Sequence, residues 1–383
     1  MNMNSRDRIL TTLGHRQPDR IPFDLGGSYV TGITKNAYTG LARTLGIDTE
    51  PVVLCDVVQQ LAEPGEELLQ KLDVDTRAVV PNIARKSPPL EICDGEQRFR
   101  DEWGVLWHRP EGSLYFDIAA SPFAQELTRK TIDEFKWPDP TAPALFDGLE
   151  EKARMHYERG YAVMLENLCA GLFEMCCRVR GTEQFLMDLA MDPETACTLL
   201  DKLVELKVRY YEAAAARLGK YIVCLREVDD MAGQQSMLIS PQMYRDLLKP
   251  RHKQLFDAQK KLFPEPFYSF FHSDGAILEI IPDIIETGVE ILNPVQLTAQ
   301  GMDAQLLKQR FGRDLVFWGG GVNTQQVLPH GTPQEVRRNV RERIAQLAPD
   351  GGFVFATVHN IQDDVPADNI RALVETWREL RDY

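Results

Sequence analysis

Eight short apolar runs recur along the chain, each closing on polar residues or glycine. They are RIPFDLGG (Arg20–Gly27), DTRAVVP (Asp75–Pro81), YAVMLEN (Tyr161–Asn167), YIVCLREVDD (Tyr221–Asp230), FYSFFHSDG (Phe267–Gly275), VEILNPVQ (Val289–Gln296), LVFWGGGV (Leu315–Val322) and FVFATVHN (Phe353–Asn360). Near-continuous apolarity suits strands buried on both faces, as in a parallel sheet. Helix-like stretches lie between them. PETACTLLDKLVELKVRYYEAAAARLG (Pro193–Gly219) has helical spacing and a glycine stop. SPQMYRDLLKPRHKQLFDAQKKLF (Ser240–Phe263) opens on a serine N-cap with Pro241 behind it, and Pro250 is expected to kink or break it. Alternating strands and helices with right-handed crossovers build a parallel sheet, and eight such units close into a (β/α)8 TIM barrel. An open doubly wound sheet is the competing arrangement. The first half is less regular, with an N-terminal helical extension and an inserted segment, ICDGEQRFRDEWGVLWHRPEG (Ile92–Gly112), that reads as a hairpin or lid. With no linker, repeat or low-complexity stretch, residues 1–383 are expected to form a single domain with an insertion near 92–112.

Charge narrows the partners. Lysine and arginine number 43 against 57 acidic residues, a net −14. Such a chain has no general attraction to phosphate backbones or anionic lipid, so neither nucleic acid nor membrane is an expected partner. The charged N-terminus lacks an apolar signal core, and a cytoplasmic location is expected. The seven cysteines are odd in number and lack CxxC pairs, which argues against disulfides and a cysteine zinc site. They are expected to be reduced, mostly core residues.

In a barrel of this type, active sites form where strands end. Those ends carry Asp24, Glu166 and Asn167, Asp229 and Asp230, His272 and Asp274, Asn293 and Gln296, Gly319–Gly321, and His359 and Asn360. His272 and Asp274 are two residues apart and point the same way on extended backbone. His359 ends the last run. Two histidines and an aspartate make a three-ligand set with an open position, the arrangement of catalytic zinc, and iron is an alternative. The spacing equally admits polar caps or a His–Asp acid/base pair. Asp229 and Asp230 point to opposite faces, so one at most enters the lumen, where it would be a fourth ligand or a substrate hydrogen-bond partner; equally, one of them would cap the helix that starts near Ser240. Glu166, if desolvated, would have a raised pKa and act as an acid. Asp229 is the second catalytic candidate. Asp24, Asn167, Asp230, Gln296 and Gly320 are the expected substrate contacts. The glycine run lacks Walker or dinucleotide spacing and reads better as a steric turn beside the cavity. Trp103, Trp107 and His108 form either a lid or an aromatic hairpin packed on the barrel. His15, His156, His252 and His330 are expected at the surface.

SRDRILTTLGHRQPDRIPFDLGGSYVTGI, ISPQMYRDLLKP, FHSDG, ETGVEILNPVQ, GRDLVFWGGGV, GTPQEV and GGFVFATVHNIQDDVPADNI occur in this order. In these motifs, over nearly its whole length, the chain resembles the uroporphyrinogen decarboxylase superfamily, specifically its corrinoid-dependent methyltransferase branch. The resemblance implies a TIM barrel, possession of Zn2+, and a partner protein that carries cobalamin. Porphyrin decarboxylases of the superfamily carry an arginine-rich motif where this chain has FDLGGSYVTGI, which has no arginine. The resemblance places the metal on His272, Asp274 and His359, where the branch has His-x-Cys and a later cysteine. It implies an O-demethylase-like enzyme that moves a methyl group from a small methoxylated donor to the corrinoid protein, and a homodimer is a family-level expectation. A lyase acting on a small acidic substrate held by an arginine such as Arg226 is the alternative. A non-catalytic binding subunit is the third reading, which the concentration of ionisable groups at strand ends disfavours.

Overall fold

The computed structural model describes residues 3–49, 51–83 and 86–383. Its strands in chain order are β1 (Leu54–Asp56), β2 (Leu61–Ala62), β3 (Thr76–Val79), β4 (Glu91–Cys93), β5 (Glu96–Arg100), β6 (Leu106–Arg109), β7 (Asp117–Ala120), β8 (Ala162–Leu165), β9 (Ile222–Val228), β10 (Tyr268–His272), β11 (Ile291–Asn293), β12 (Val316–Trp318) and β13 (Phe353–Val354). Seven of them form a parallel sheet in the order β13-β12-β11-β10-β9-β8-β3. Every residue of β9 is buried, as expected for a strand covered on both faces.

The first apolar run supplies the eighth position without becoming a regular strand. Phe23 bridges Phe355 in parallel. The Asp24 amide donates to the Phe355 carbonyl, the Phe355 amide to that of Pro22, and the Asp75 amide to that of Phe23, at 2.8–2.9 Å. The sheet therefore closes on itself as a (β/α)8 barrel, and the open doubly wound alternative is set aside. Asp75, fully buried, holds this seam. Its Oδ2 accepts from the Phe23 amide at 2.9 Å and from Arg20 at 2.9 Å, and its Oδ1 accepts from Arg8 at 2.6 Å.

Arg8 lies on the N-terminal helix Ser5–Leu13, which Asn4 caps through the Asp7 amide. Ile9 and Leu13 of that helix join the barrel-interior cluster of Met164, Val223, Phe270, Val316 and Trp318. The extension is thus packed onto the barrel interior. The helix after Ser240 starts where the serine cap predicts, with Ser240 Oγ accepting from the Met243 amide. Instead of breaking at Pro250, it widens into a π-helical turn over Tyr244–Leu248 before continuing to Leu262.

The insertion is larger than the single hairpin expected at 92–112. Strands β4 to β7 form a four-stranded antiparallel sheet. Phe99 stacks on Trp107 at 6.3 Å and meets Phe116 edge-on at 5.3 Å. The cysteines are free, with Cys169, Cys176, Cys177 and Cys224 buried and Cys93 exposed.

Removing the Asp75 carboxylate would leave Arg20 without its buried counter-charge and the Phe23 amide without its acceptor, while Arg8 would keep only the more exposed Asp19, 2.7 Å away. Asp75→Ala is expected to lower unfolding stability by about 3–5 kcal/mol, measured by urea denaturation. A loss below about 1 kcal/mol would show that the seam does not depend on it.

Candidate metal centre

His272 ends β10, and Asp274 follows on the turn into the next helix. Parallel pairing sets His272 opposite Val228 of β9 on one side and Asn293 of β11 on the other. His272 Nε2 lies 3.6 Å from Asp274 Oδ2, and His359 Nε2 lies 3.8 Å from the same oxygen. One ligand atom from each of the three residues falls within 4.8 Å of the other two. The two imidazole rings sit 5.6 Å apart, tilted by 58°.

Asn293 sets the tautomer. Its Nδ2 donates to the Trp318 carbonyl at 2.6 Å, so Oδ1 is the atom facing His272 Nδ1, at 2.5 Å. The Nδ1 proton is then committed, and the Nε2 lone pair is left for the cluster. Gly319 protects this arrangement. Its φ is +93°, and a Cβ there would stand 3.0 Å from Asn293 Nδ2.

The electrostatics fit a cation. Burial pulls the His272 imidazolium down, but hydrogen bonding and charge from Asp274, with Asp230 beyond, raise it to about 9. Burial works against the Asp274 carboxylate, yet His272 and then His359 hold it below the ordinary carboxylate range. Burial lowers His359. Asp274 Oδ1 is buried without a hydrogen-bond partner. An orphaned carboxylate oxygen beside two imidazoles is what a divalent ion would satisfy, so the residues fit zinc.

These groups open onto a cavity of about 460 Å³, walled by Tyr29, Trp107, Tyr115 and Phe116 and bordered by Glu174, Arg178, Arg226, Asp230, His272 and His359. Trp107 therefore both packs the inserted sheet and borders the cavity. A larger cavity of about 650 Å³ lies between helix Leu149–Glu158 and the segments around β1 to β3, and it shares Tyr29 with the first. It contains none of the His272, Asp274 and His359 group, so the smaller cavity is the one beside the candidate metal ligands.

The other expected residues separate by placement. Asp230 borders the cavity, its Oδ1 accepting the Asp274 amide at 2.8 Å, and burial with the Glu174 charge pushes its pKa up to about 7. Asp229 turns the other way, as adjacent strand residues must. It accepts the Phe173 and Glu174 amides at 2.9 and 3.0 Å and meets His252 Nε2 at 2.9 Å. The helix it caps is Leu172–Arg180, which corrects the expected cap near Ser240. His252 and His156 are buried, not at the surface as expected. Glu166, also outside the cavity wall, accepts the Tyr29 amide at 2.6 Å and Arg226 Nε at 2.7 Å. Asp24 accepts from Thr76 and Trp318. Asn167 donates to Glu227, and Gln296 accepts the Gly275 amide. Gly320 packs where a Cβ would meet Val295 at 2.8 Å. None of these five borders the cavity.

Comparison with known proteins follows from this geometry. The uroporphyrinogen decarboxylase (URO-D) family profile matches residues 121–380. A methylated-thiol–coenzyme M methyltransferase of Methanosarcina mazei is 25% identical over 252 residues, covering 64% of this chain and 62% of that protein. A uroporphyrinogen decarboxylase of Psychromonas ingrahamii is 28% identical over 192 residues, covering 49% of each. The chain thus spans between about half and three fifths of these curated relatives. The solved structure of a methyltransferase from Methanosarcina mazei superposes with a TM-score of 0.67 over 98% of this chain and 99% of that one, at 15% identity, and shows the same fold.

Two outcomes follow from the pinned imidazole. Asn293→Ala frees His272 to rotate, and metal affinity is expected to fall by about 10–100-fold in a chelator competition, with unchanged affinity counting against the pin. Because His272 is raised to about 9, it carries a proton at neutral pH that a metal ion must displace. Apparent zinc affinity is therefore expected to rise with pH and level off above about 9, with proton release on titration in weak buffer at pH 7.5. Uptake without proton release contradicts this assignment.

Proposed function

The chain belongs to the uroporphyrinogen decarboxylase family, and from that premise we propose that it is a zinc-dependent methyltransferase that moves a methyl group from a small O-methylated compound to the cobalamin of a partner corrinoid protein. The observation that carries the reading is the convergence of His272, Asp274 and His359, with both histidines bordering an open cavity and an Asp274 oxygen left unsatisfied. The methyltransferase relative supports the reaction class. Zinc bound there would supply a Lewis acid that polarises the donor oxygen as its bond to methyl breaks.

The chain's own residues do the rest. Two neutral imidazoles and one carboxylate leave the centre more positive than a thiolate set would, which favours departure of an alkoxide or phenoxide. Asn293 holds His272 with Nε2 toward the cavity. Asp230 borders the cavity beside His272 and is placed to pass a proton to the departing oxygen. Tyr29, Trp107 and Phe116 exclude water from one side of the donor.

The lyase remains as a second reading for one reason. Without a metal, His272 and Asp274 form an imidazolium–carboxylate pair that can exchange a proton with substrate, and one relative is a uroporphyrinogen decarboxylase. A porphyrin is disfavoured as substrate by the arginine-free FDLGGSYVTGI stretch.

Elemental analysis is expected to find about one zinc per chain in the wild type and a loss of most of it in His272→Ala. Methyl transfer to reduced corrinoid protein should disappear with the metal. Turnover of an acidic substrate by metal-free protein, without any corrinoid, would move the lyase reading to the front.

A further inference from the structure

Two arginines border the metal cavity, and they are not equivalent. Arg178 is paired with Glu174 one helical turn earlier at 3.1 Å, and its guanidinium lies over the Trp107 ring. Arg226 projects from the middle of β9 and is only 6% exposed. Its Nε donates to Glu166 Oε2 at 2.7 Å, and the Tyr29 amide holds the other Glu166 oxygen. That one bond orients the guanidinium side-on. Among the described residues, neither terminal nitrogen of Arg226 has a protein hydrogen-bond partner.

Arg226 lines the cavity with its guanidinium carbon 5.9 Å from the Tyr29 ring centre, and a guanidinium offers its donors in a planar fork that matches a carboxylate. Glu166 offsets the Arg226 charge, and Asp117, Glu174 and Asp230 also border the cavity, so an anion would be recognised here by the Arg226 donors and not by a general positive field. The register fixes the distance. Arg226 lies opposite Phe270, two residues before His272 on the neighbouring strand, about 7 Å along it.

We propose that Arg226 anchors a carboxylate of the substrate, so that this cavity takes a small anionic compound whose methylated end, a few bonds away, faces His272, Asp274 and His359. The orientation of the methylated end rests on the methyl-transfer reading, whereas the carboxylate anchor does not.

The test compares binding of 3-methoxypropanoate and 3-methoxypropan-1-ol by calorimetry. The two probes share a length and differ in the charged group. Zinc-loaded and chelator-stripped wild type, Arg226→Lys and Arg226→Gln are each titrated. Arg226→Lys keeps a charge opposite Glu166 and guards against simple misfolding, and thermal unfolding and metal content are read for each protein. The expected result is at least about tenfold tighter binding of the carboxylate by wild type, kept after metal removal, reduced in Arg226→Lys and absent in Arg226→Gln, with metal content unchanged. Equal or unmeasurable binding of both probes by wild type would overturn the proposal. So would a preference that disappears with the metal, or one that persists in both folded variants. Failure of methyl transfer alone would instead count against the reaction class, and leave the carboxylate preference standing.

Discussion

A parallel barrel has to join its last strand to its first, and in this chain the join is the weak point that Asp75 strengthens. The Pro22–Asp24 segment offers few ladder bonds, so a regular strand's cooperativity is missing there. One fully buried carboxylate replaces it, receiving a backbone amide from the first segment and guanidinium groups from Arg8 and Arg20. The helix that carries Arg8 also packs Ile9 and Leu13 onto the barrel interior. Closure matters for the site because Asp274 and Asp230 follow central strands, while His359 follows the strand beside the seam. A sheet left open there would not fix His359 against His272.

Much of this was legible in the sequence because a parallel barrel writes a simple pattern. Strands buried on both faces read as unbroken apolar runs, and all eight runs became positions in the closed sheet. The opposite facing of Asp229 and Asp230 followed from strand geometry alone. The inserted sheet was read too short because it is half exposed. A strand such as Glu96–Arg100 carries one buried residue, Phe99, among charged neighbours, so its apolar content resembles a loop. Which helix Asp229 would cap was not legible, since Leu172–Arg180 is distant in sequence and only the packing brings its first amides to that carboxylate. The burial of His252 has the same origin.

The grouping of His272, Asp274 and His359 was legible for a local reason and incomplete for a tertiary one. His272 and Asp274 sit two residues apart, which fixes their common direction before any fold is known. Asn293 stood only as a strand end. Its job depends on the register between β10 and β11 and on the Trp318 carbonyl one strand further on. Arg226 posed the same difficulty, for its direction depends on Glu166 across the neighbouring strand.

The carboxylates at the strand ends differ less in identity than in how fully they are satisfied. Glu166 accepts from two backbone amides and a guanidinium, Asp229 from two amides and an imidazole, and Asp24 from a hydroxyl, an indole and an amide. A carboxylate with its lone pairs already used gains nothing from a ligand and would lose those bonds in meeting one. Asp274 is different, with one oxygen facing two imidazoles and the other buried without a donor. Arg226 is its cationic counterpart, held at Nε by Glu166 and, among the described residues, without a hydrogen-bond partner at its two terminal nitrogens. Among the described residues, Asp274 beside His272 and Arg226 thus offer a candidate cation position and a candidate anion position, at levels two residues apart on adjacent strands. With a cation beside Asp274, a ligand that met both it and Arg226 would have to carry an electron-rich atom and a negative group, and that pairing limits what can bind more tightly than the shape of the cavity does.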